Sequence, residues 1–273
     1  MSERDTMDRD TSTRTALVTG ASSGIGREIA DMAASDGYDL VLTARREERL
    51  EEVAGMAEAE HGVSATVVAQ DLAEPDAADR LHEAIRDAGI DVDVLVNNAG
   101  VPLYGEFTET DREAERGMLR VNVTAPTELT KLFVPGMVER GRGGVLNTAS
   151  LTSFYPVPGK AVYGATKSYL LSFSRALAHE VEDEGVTVTA LCPGVVETEY
   201  AERGNVDESG TMSGVTNDPR SVAEAGWNGF RDGERIVLPS GFASYAAQLT
   251  RVLPRRTVTD LGEQTIEEGA SWI

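Results

Sequence analysis

The sequence predicts an α/β domain, a doubly wound parallel sheet of about seven strands. Three observations predict it. Short apolar runs alternate with stretches of helical period along the chain. Several runs are apolar throughout instead of at every second residue, as in strands buried on both faces. The first run ends in a glycine-bearing turn, TGASSGIG at 19–26, that opens a helix-period segment.

The elements follow in order. TALVTG at 15–20 is a strand, and 24–37 is a helix stopped by glycine. DLVLTAR at 39–45 is a second strand, followed by a charged amphipathic helix at 46–62. SATVVAQD at 64–71 is a third strand. The helix at 75–89 opens with a proline, whose missing N–H costs nothing at a helix start. DVLVNNAG at 93–100 is a fourth strand. Residues 111–140 read as one long helix, bent near Pro126 and ended by Pro135. Three more strands are expected at 143–150, 187–194 and 235–241, with helices at 160–183 and 218–231. The polar segment 199–217 reads as a long substrate loop. Residues 1–12 read as a disordered tail and 13–273 as one domain, with no linker or internal repeat.

Composition narrows the function. No run approaches the roughly eighteen apolar residues of a membrane span. The charged N-terminus lacks the apolar core of a signal peptide, so a cytoplasmic location is expected. The single cysteine, Cys192, excludes an intrachain disulfide and a cysteine-rich metal site; no metal is expected. With 46 acidic against 25 basic residues, the formal charge is −21. Such a surface repels nucleic acid and anionic membranes. Three lysines (Lys131, Lys160 and Lys167) leave 22 of the 25 basic residues as arginine. Scattered acid and scarce lysine fit a halophilic protein, kept soluble where salt screens self-repulsion.

In the first turn, Gly20, Gly24 and Gly26 let the backbone turn tightly and approach a ligand. The helix N-terminus then offers amide N–H groups to a pyrophosphate. The spacing is G-x-x-x-G-x-G, not the generic G-x-G-x-x-G. The same residues also spell G-x-S-x-G, the nucleophile elbow of a serine α/β-hydrolase, with Ser22 as nucleophile. That fold needs a histidine after a late strand, and His61, His82 and His179 do not supply one. Ala44-Arg45-Arg46 ends the second strand without the acid that binds a ribose hydroxyl in NAD enzymes. Two guanidiniums there suit a 2′-phosphate, which favours NADP(H) over NAD(H); the plainer reading is a surface pair that starts a helix. Asp71, followed by Leu72, ends the third strand, where an adenine edge would be read.

Tyr163 and Lys167, in YGATK, are four apart and share a helix face. A phenol has a pKa near 10, and an ammonium within about 4–6 Å favours its ionised form. Such a tyrosine donates a proton to a carbonyl oxygen or removes one from a hydroxyl. Ser150, thirteen residues before Tyr163 at a strand end, is placed to hold that oxygen. Alone, a Y-x-x-x-K spacing is more often an ordinary amphipathic helix. The serine and the glycine turn reverse that weighting.

Together these residues resemble the short-chain dehydrogenase/reductase family, over roughly residues 13–200. Thr19 through Gly26, with Ser22, Ser23 and Ile25, match its cofactor turn. Asn97, Asn98, Ala99 and Gly100 match its NNAG segment, and Pro193, Gly194, Val196 and Thr198 its PGxxxT segment. Asn122, Ser150, Tyr163 and Lys167 match its catalytic tetrad. The resemblance implies a Rossmann-type fold and interconversion of an alcohol with a ketone or aldehyde. It implies that Tyr163 is the acid/base and that Ser150 positions the substrate oxygen. Lys167 would lower the tyrosine pKa and hold the nicotinamide ribose, and Asn122 would anchor a relay water. Dimers or tetramers through the helices at 111–134 and 160–183 are also implied. Ser23 departs from the pattern, because many NADP-using members carry a basic residue there. The segment 242–253 matches no substrate class. A non-catalytic nucleotide-binding sensor of the same fold is the other alternative to the enzyme.

Overall fold

The structure, a computed structural model, describes residues 14–196 and 217–239 together with Pro254, Arg256, Thr257 and Thr259. The expected tail at 1–12, Thr198, the loop up to residue 216 and the segment 242–253 lie outside the described residues.

Seven parallel strands form one sheet: β1 (Thr15–Thr19), β2 (Asp39–Thr43), β3 (Ala65–Val67), β4 (Val94–Asn97), β5 (Gly143–Thr148), β6 (Val186–Leu191) and β7 (Ile236–Val237). Their order is β3-β2-β1-β4-β5-β6-β7. The chain winds outward from β1 to β3, then crosses back to β4 beside β1. That reversal leaves a crevice at the carboxyl ends of β1 and β4, where doubly wound sheets bind ligands.

Among the described residues the sheet is covered by α1 (Gly24–Ser35), α2 (Glu47–His61), α3 (Ala77–Asp87), α4 (Arg112–Leu119), α5 (Ala125–Glu139), α6 (Ala161–Glu180) and α7 (Pro219–Arg231). Period two along the strands sorts the core into two layers. Ala16 and Val18 of β1 and Leu40 and Leu42 of β2 pack with α1, α2 and Trp227 of α7. Leu17, Val41, Leu95 and Val145 face the other way, against Leu81 of α3 and Leu129, Phe133 and Met137 of α5.

The predicted single helix at 111–140 is three pieces. Between α4 and α5, residues 120–124 form a π-helical turn in which the Ala125 amide donates to the Arg120 carbonyl, five residues back. Pro126 explains the slip: it has no N–H to give the Asn122 carbonyl, so the ladder widens there. Pro135 does not end α5, which runs to Glu139. Pro135 and Lys131 are both exposed, so water can reach the Lys131 carbonyl left without a donor, while buried Phe133, Val134 and Met137 hold the turn. Strand β3 is shorter than expected, although the Val68 and Gln70 amides still donate to the Leu42 and Ala44 carbonyls, each at 3.0 Å, before the chain turns at Asp71. There the Asp71 carboxylate accepts from the Ala73 amide at 2.9 Å.

Candidate active site

The first turn is a cradle that side chains would block. A Cβ on Gly26 would stand 2.4 Å from both the Gly20 carbonyl oxygen and Asn98 Nδ2. Gly20 and Gly24 hold φ of 68° and 56°, in the left-handed region. Thr19 and Asn98 tie the cradle to β4. The Thr19 hydroxyl accepts from the Asn98 and Ala99 amides at 3.0 and 2.9 Å, and Asn98 Nδ2 donates to the Thr19 carbonyl at 3.2 Å. The N-cap of α1, Ser23, makes no side-chain capping bond, and the first turn of α1 carries no acid. Its amides therefore remain available to a phosphate. Ile25 packs on the core beneath.

At the edge of the cradle, Arg46 reaches back over the turn. Its Nη2 donates to Ser23 Oγ at 3.1 Å and Ser22 Oγ at 3.3 Å. Arg45 beside it is exposed. Thus Ser23, which departs from the expected basic residue, is met by a basic group delivered from the start of α2. Asp71 sits in its own turn, and Leu72 is buried.

The second half of the site lies where β5 ends. Lys167 is 3% exposed, and its ammonium donates to the Thr148 carbonyl at 2.8 Å. The same nitrogen lies 5.9 Å from the centroid of the Tyr163 ring. Burial pulls the Lys167 pKa down to about 8. Burial also pushes the nearby Cys192 thiol up to about 12, so at neutral pH it offers no counter-charge. Tyr163 is 7% exposed. Ser150 caps a short 3₁₀ turn at Leu151–Phe154, its hydroxyl accepting from the Thr152 amide at 3.2 Å and receiving the Thr152 hydroxyl at 3.0 Å.

Two residues that the sequence reading missed fasten this cluster. Ser153 Oγ donates to the Lys167 carbonyl at 2.8 Å and accepts from the Ser150 amide at 3.2 Å, joining the end of β5 to α6. Thr166 Oγ1 donates to the Tyr163 carbonyl at 2.7 Å and accepts from Asn122 Nδ2 at 3.2 Å. Asn122, 1% exposed within the π turn, also exchanges two hydrogen bonds with the Val101 backbone, at 2.9 and 3.0 Å. The structure thus brings Asn122, Ser150, Tyr163 and Lys167 into one cluster, at the end of the sheet that carries the glycine cradle.

Residues 14–209 match the family model for short chain dehydrogenase. The chain belongs to the short-chain dehydrogenase family. Its relatives include very-long-chain 3-oxoacyl-CoA reductase-B of Danio rerio, 33% identical over 68% of this chain and 60% of that protein. Sulfoacetaldehyde reductase of Chromohalobacter salexigens is 37% identical over 67% of this chain and 73% of that protein. A short-chain dehydrogenase from Sphingobium yanoikuyae, solved in complex with NADPH, is 30% identical with a TM-score of 0.78, covering 88% of this chain and 96% of that one. The chain thus spans only about 60% of the length of the Danio rerio relative.

In this short-chain dehydrogenase, residues 193–196 of the PGxxxT segment lie beside the cluster. The Pro193 carbonyl accepts from the Leu151 amide at 2.8 Å, and Val196 forms a parallel bridge with Asn217 near Gly194. The hydrolase alternative lacks a base. His61 pairs with Asp31 at 2.8 Å, His82 meets the Phe133 ring edge to face, and His179 lies 3.4 Å from Glu182, whereas Ser22 faces Arg46. No helix among the described residues is long and apolar enough to cross a membrane.

Proposed function

We propose that this chain is an NADP(H)-dependent oxidoreductase that interconverts an alcohol and a ketone or aldehyde. The observation that carries the reading is the Lys167 ammonium, buried beside the Tyr163 ring at the end of the sheet that holds the glycine cradle. The relatives named above as reductases of 3-oxoacyl-CoA and of sulfoacetaldehyde support carbonyl reduction as the direction.

The residues present fit a dinucleotide. Gly20 and Gly26 let the turn and the start of α1 close on Asn98 and Ala99, and the uncapped amides of α1 would hold the pyrophosphate. Arg46, with Ser22 and Ser23, and Arg45 alongside, would hold the 2′-phosphate that distinguishes NADP from NAD. Asp71 and Leu72 would flank the adenine. Asn98, Ala99, Gly100, Pro193, Gly194, Val196 and Thr198 would line the path to the nicotinamide. When bound, the nicotinamide supplies the hydride that is added to the carbonyl carbon.

Tyr163 gives its phenolic proton to the carbonyl oxygen as that oxygen gains negative charge. The Lys167 ammonium stabilises the phenolate left behind, and so lowers the cost of the transfer. The Ser150 hydroxyl orients the carbonyl oxygen toward Tyr163. Asn122 fixes the π turn that faces α6 and anchors a relay water through which the phenol regains its proton. Subunits would pair through α5 and α6, where Tyr169 is 39% exposed and stacks on Phe173.

Tyr163→Phe tests the reading. Turnover of a ketone and aldehyde panel with NADPH should fall at least a thousandfold, with the NADPH dissociation constant changed less than threefold. Full activity in that variant removes the tyrosine from the mechanism.

A further inference from the structure

Lys160 is one of only three lysines in a chain with 46 acidic residues, and it stands three positions before Tyr163, at the N-cap of α6. Its ammonium lies 4.3 Å from the centroid of the Tyr104 ring. The Tyr104 ring meets Tyr163 edge to face, with centroids 6.1 Å apart and planes at 69°. One aromatic ring therefore separates a cation from the proposed proton donor. Lys160 is half-buried, and burial draws its pKa below the ordinary lysine value.

Several arginines of this protein are paired with carboxylates. Arg220 reaches Glu28 and Asp31 at 3.0 and 2.8 Å, Arg142 reaches Asp93 at 3.4 Å, and Arg235 reaches Glu182 at 2.6 Å. At Lys160, among the described residues, no carboxylate oxygen comes within 4.0 Å of the ammonium, and unlike Lys167 it has no carbonyl tether either. Glu115, in the adjoining cleft lined by Leu103, Phe107 and Val162, is engaged by the Thr110 hydroxyl at 2.7 Å. The first turn of α6 carries no acid either. A desolvated ammonium with only a ring face for company gains most from an oxyanion brought to it.

We propose that Lys160 is a specificity residue: it receives an anionic group of the substrate, while the Tyr104 ring packs against the few atoms between that group and the carbonyl at Tyr163. This rests on the oxidoreductase reading above. The substrate class it selects is a short oxo compound, or the matching hydroxy compound, that carries a carboxylate, sulfonate or phosphate a few bonds from the reacting carbon. A neutral ketone of the same length would leave the ammonium partly dehydrated and unpaired.

The test uses the full-length protein with NADPH and its Lys160→Met and Lys160→Arg variants. The probes are 4-oxopentanoate, 3-oxobutane-1-sulfonate and 3-oxobutyl phosphate, each against neutral methyl 4-oxopentanoate. Wild type should favour at least one anion over the ester by tenfold or more in kcat/KM. Lys160→Met should remove that preference through KM, and Lys160→Arg should keep part of it. A wild-type preference for the ester, or an anion preference unaltered in Lys160→Met, overturns the inference. Calorimetric titration of the NADPH-loaded protein with the same probes separates the two readings. Tighter anion binding that depends on Lys160, without turnover of any probe, sustains the anion site and defeats the oxidoreductase reading. Turnover of the neutral ester without Lys160-dependent anion binding does the reverse.

Discussion

The ammonium of Lys167 is tied to the carbonyl oxygen of Thr148, 2.8 Å away, and that tether holds it beside the Tyr163 ring without a carboxylate to neutralise it. Buried in this way, the amine has a pKa of about 8. Below that pH it is charged and makes the neighbouring phenol a better acid; above it the charge is lost. The kcat/KM for carbonyl reduction should therefore fall about tenfold per pH unit above roughly pH 8. A profile flat to pH 10 would separate Lys167 from the proton transfer. Stability follows the opposite trend. The folded amine binds its proton more weakly than the unfolded one, near 10.5, so the unfolded state holds more protons between about 8 and 10.5. Rising pH through that window relieves a burial cost on the order of 3 kcal/mol from this group. In Lys167→Met both trends should vanish from the pH series.

Arg46 crosses the glycine turn to the hydroxyls of Ser22 and Ser23, which puts its guanidinium beside the proposed site of the 2′-phosphate. Charge-assisted hydrogen bonds contribute about 1.5–3 kcal/mol each. Arg46→Ala should weaken NADPH binding roughly 10- to 100-fold and leave NADH binding within about threefold. Arg45→Ala, at an exposed position, should weaken NADPH binding less. Fluorescence titration of both cofactors against both variants measures the ranking. Equal losses for NADH and NADPH in Arg46→Ala would mean that the arginine supports the fold of the turn and does not read the 2′-phosphate.

Much of this site was legible because its chemistry depends on fixed local spacing. Tyr163 and Lys167 share a face through helix geometry alone, and Gly20 and Gly26 announce a close backbone approach that any Cβ would block. The parallel sheet covered on both faces also follows from apolar runs alternating with helices. The residues that escaped notice act through tertiary contacts. Ser153 and Thr166 are unremarkable small polar residues until the end of β5 and the π turn come to lie against α6. The π turn itself was hidden in a continuous helical pattern. Pro126 gave a bend, but the register slip that positions Asn122 depends on packing around it. Pro135 misled because its lost hydrogen bond falls on the solvent face. Arg46 was picked out by its place after β2, yet its contact with Ser22 and Ser23 depends on how α2 leaves the sheet.

Gly26 offers a direct check on the cradle. It is the last glycine of the turn and lies in the first turn of α1, buried against Asn98. Its φ lies outside the left-handed region, so alanine is excluded there by space and not by backbone conformation. An added Cβ would meet the Gly20 carbonyl oxygen at 2.4 Å, and that oxygen is main chain and cannot rotate aside. Gly26→Ala must therefore push α1 away from β4 or open the bonds that Thr19 and Asn98 make across the turn. Overpacking of this kind costs about 1–3 kcal/mol, which lowers the melting midpoint by several degrees. Because the displaced helix start is the proposed pyrophosphate site, NADPH affinity should fall more than tenfold at the same time. Gly55→Ala supplies the contrast. Gly55 lies inside α2, and a Cβ there meets nothing within 4 Å, so the change should raise the midpoint through about 0.5–1 kcal/mol of helix propensity. Melting curves with and without NADPH read both effects. A Gly26→Ala protein that melts like wild type and binds NADPH normally would mean that α1 and β4 are not held at this distance in solution.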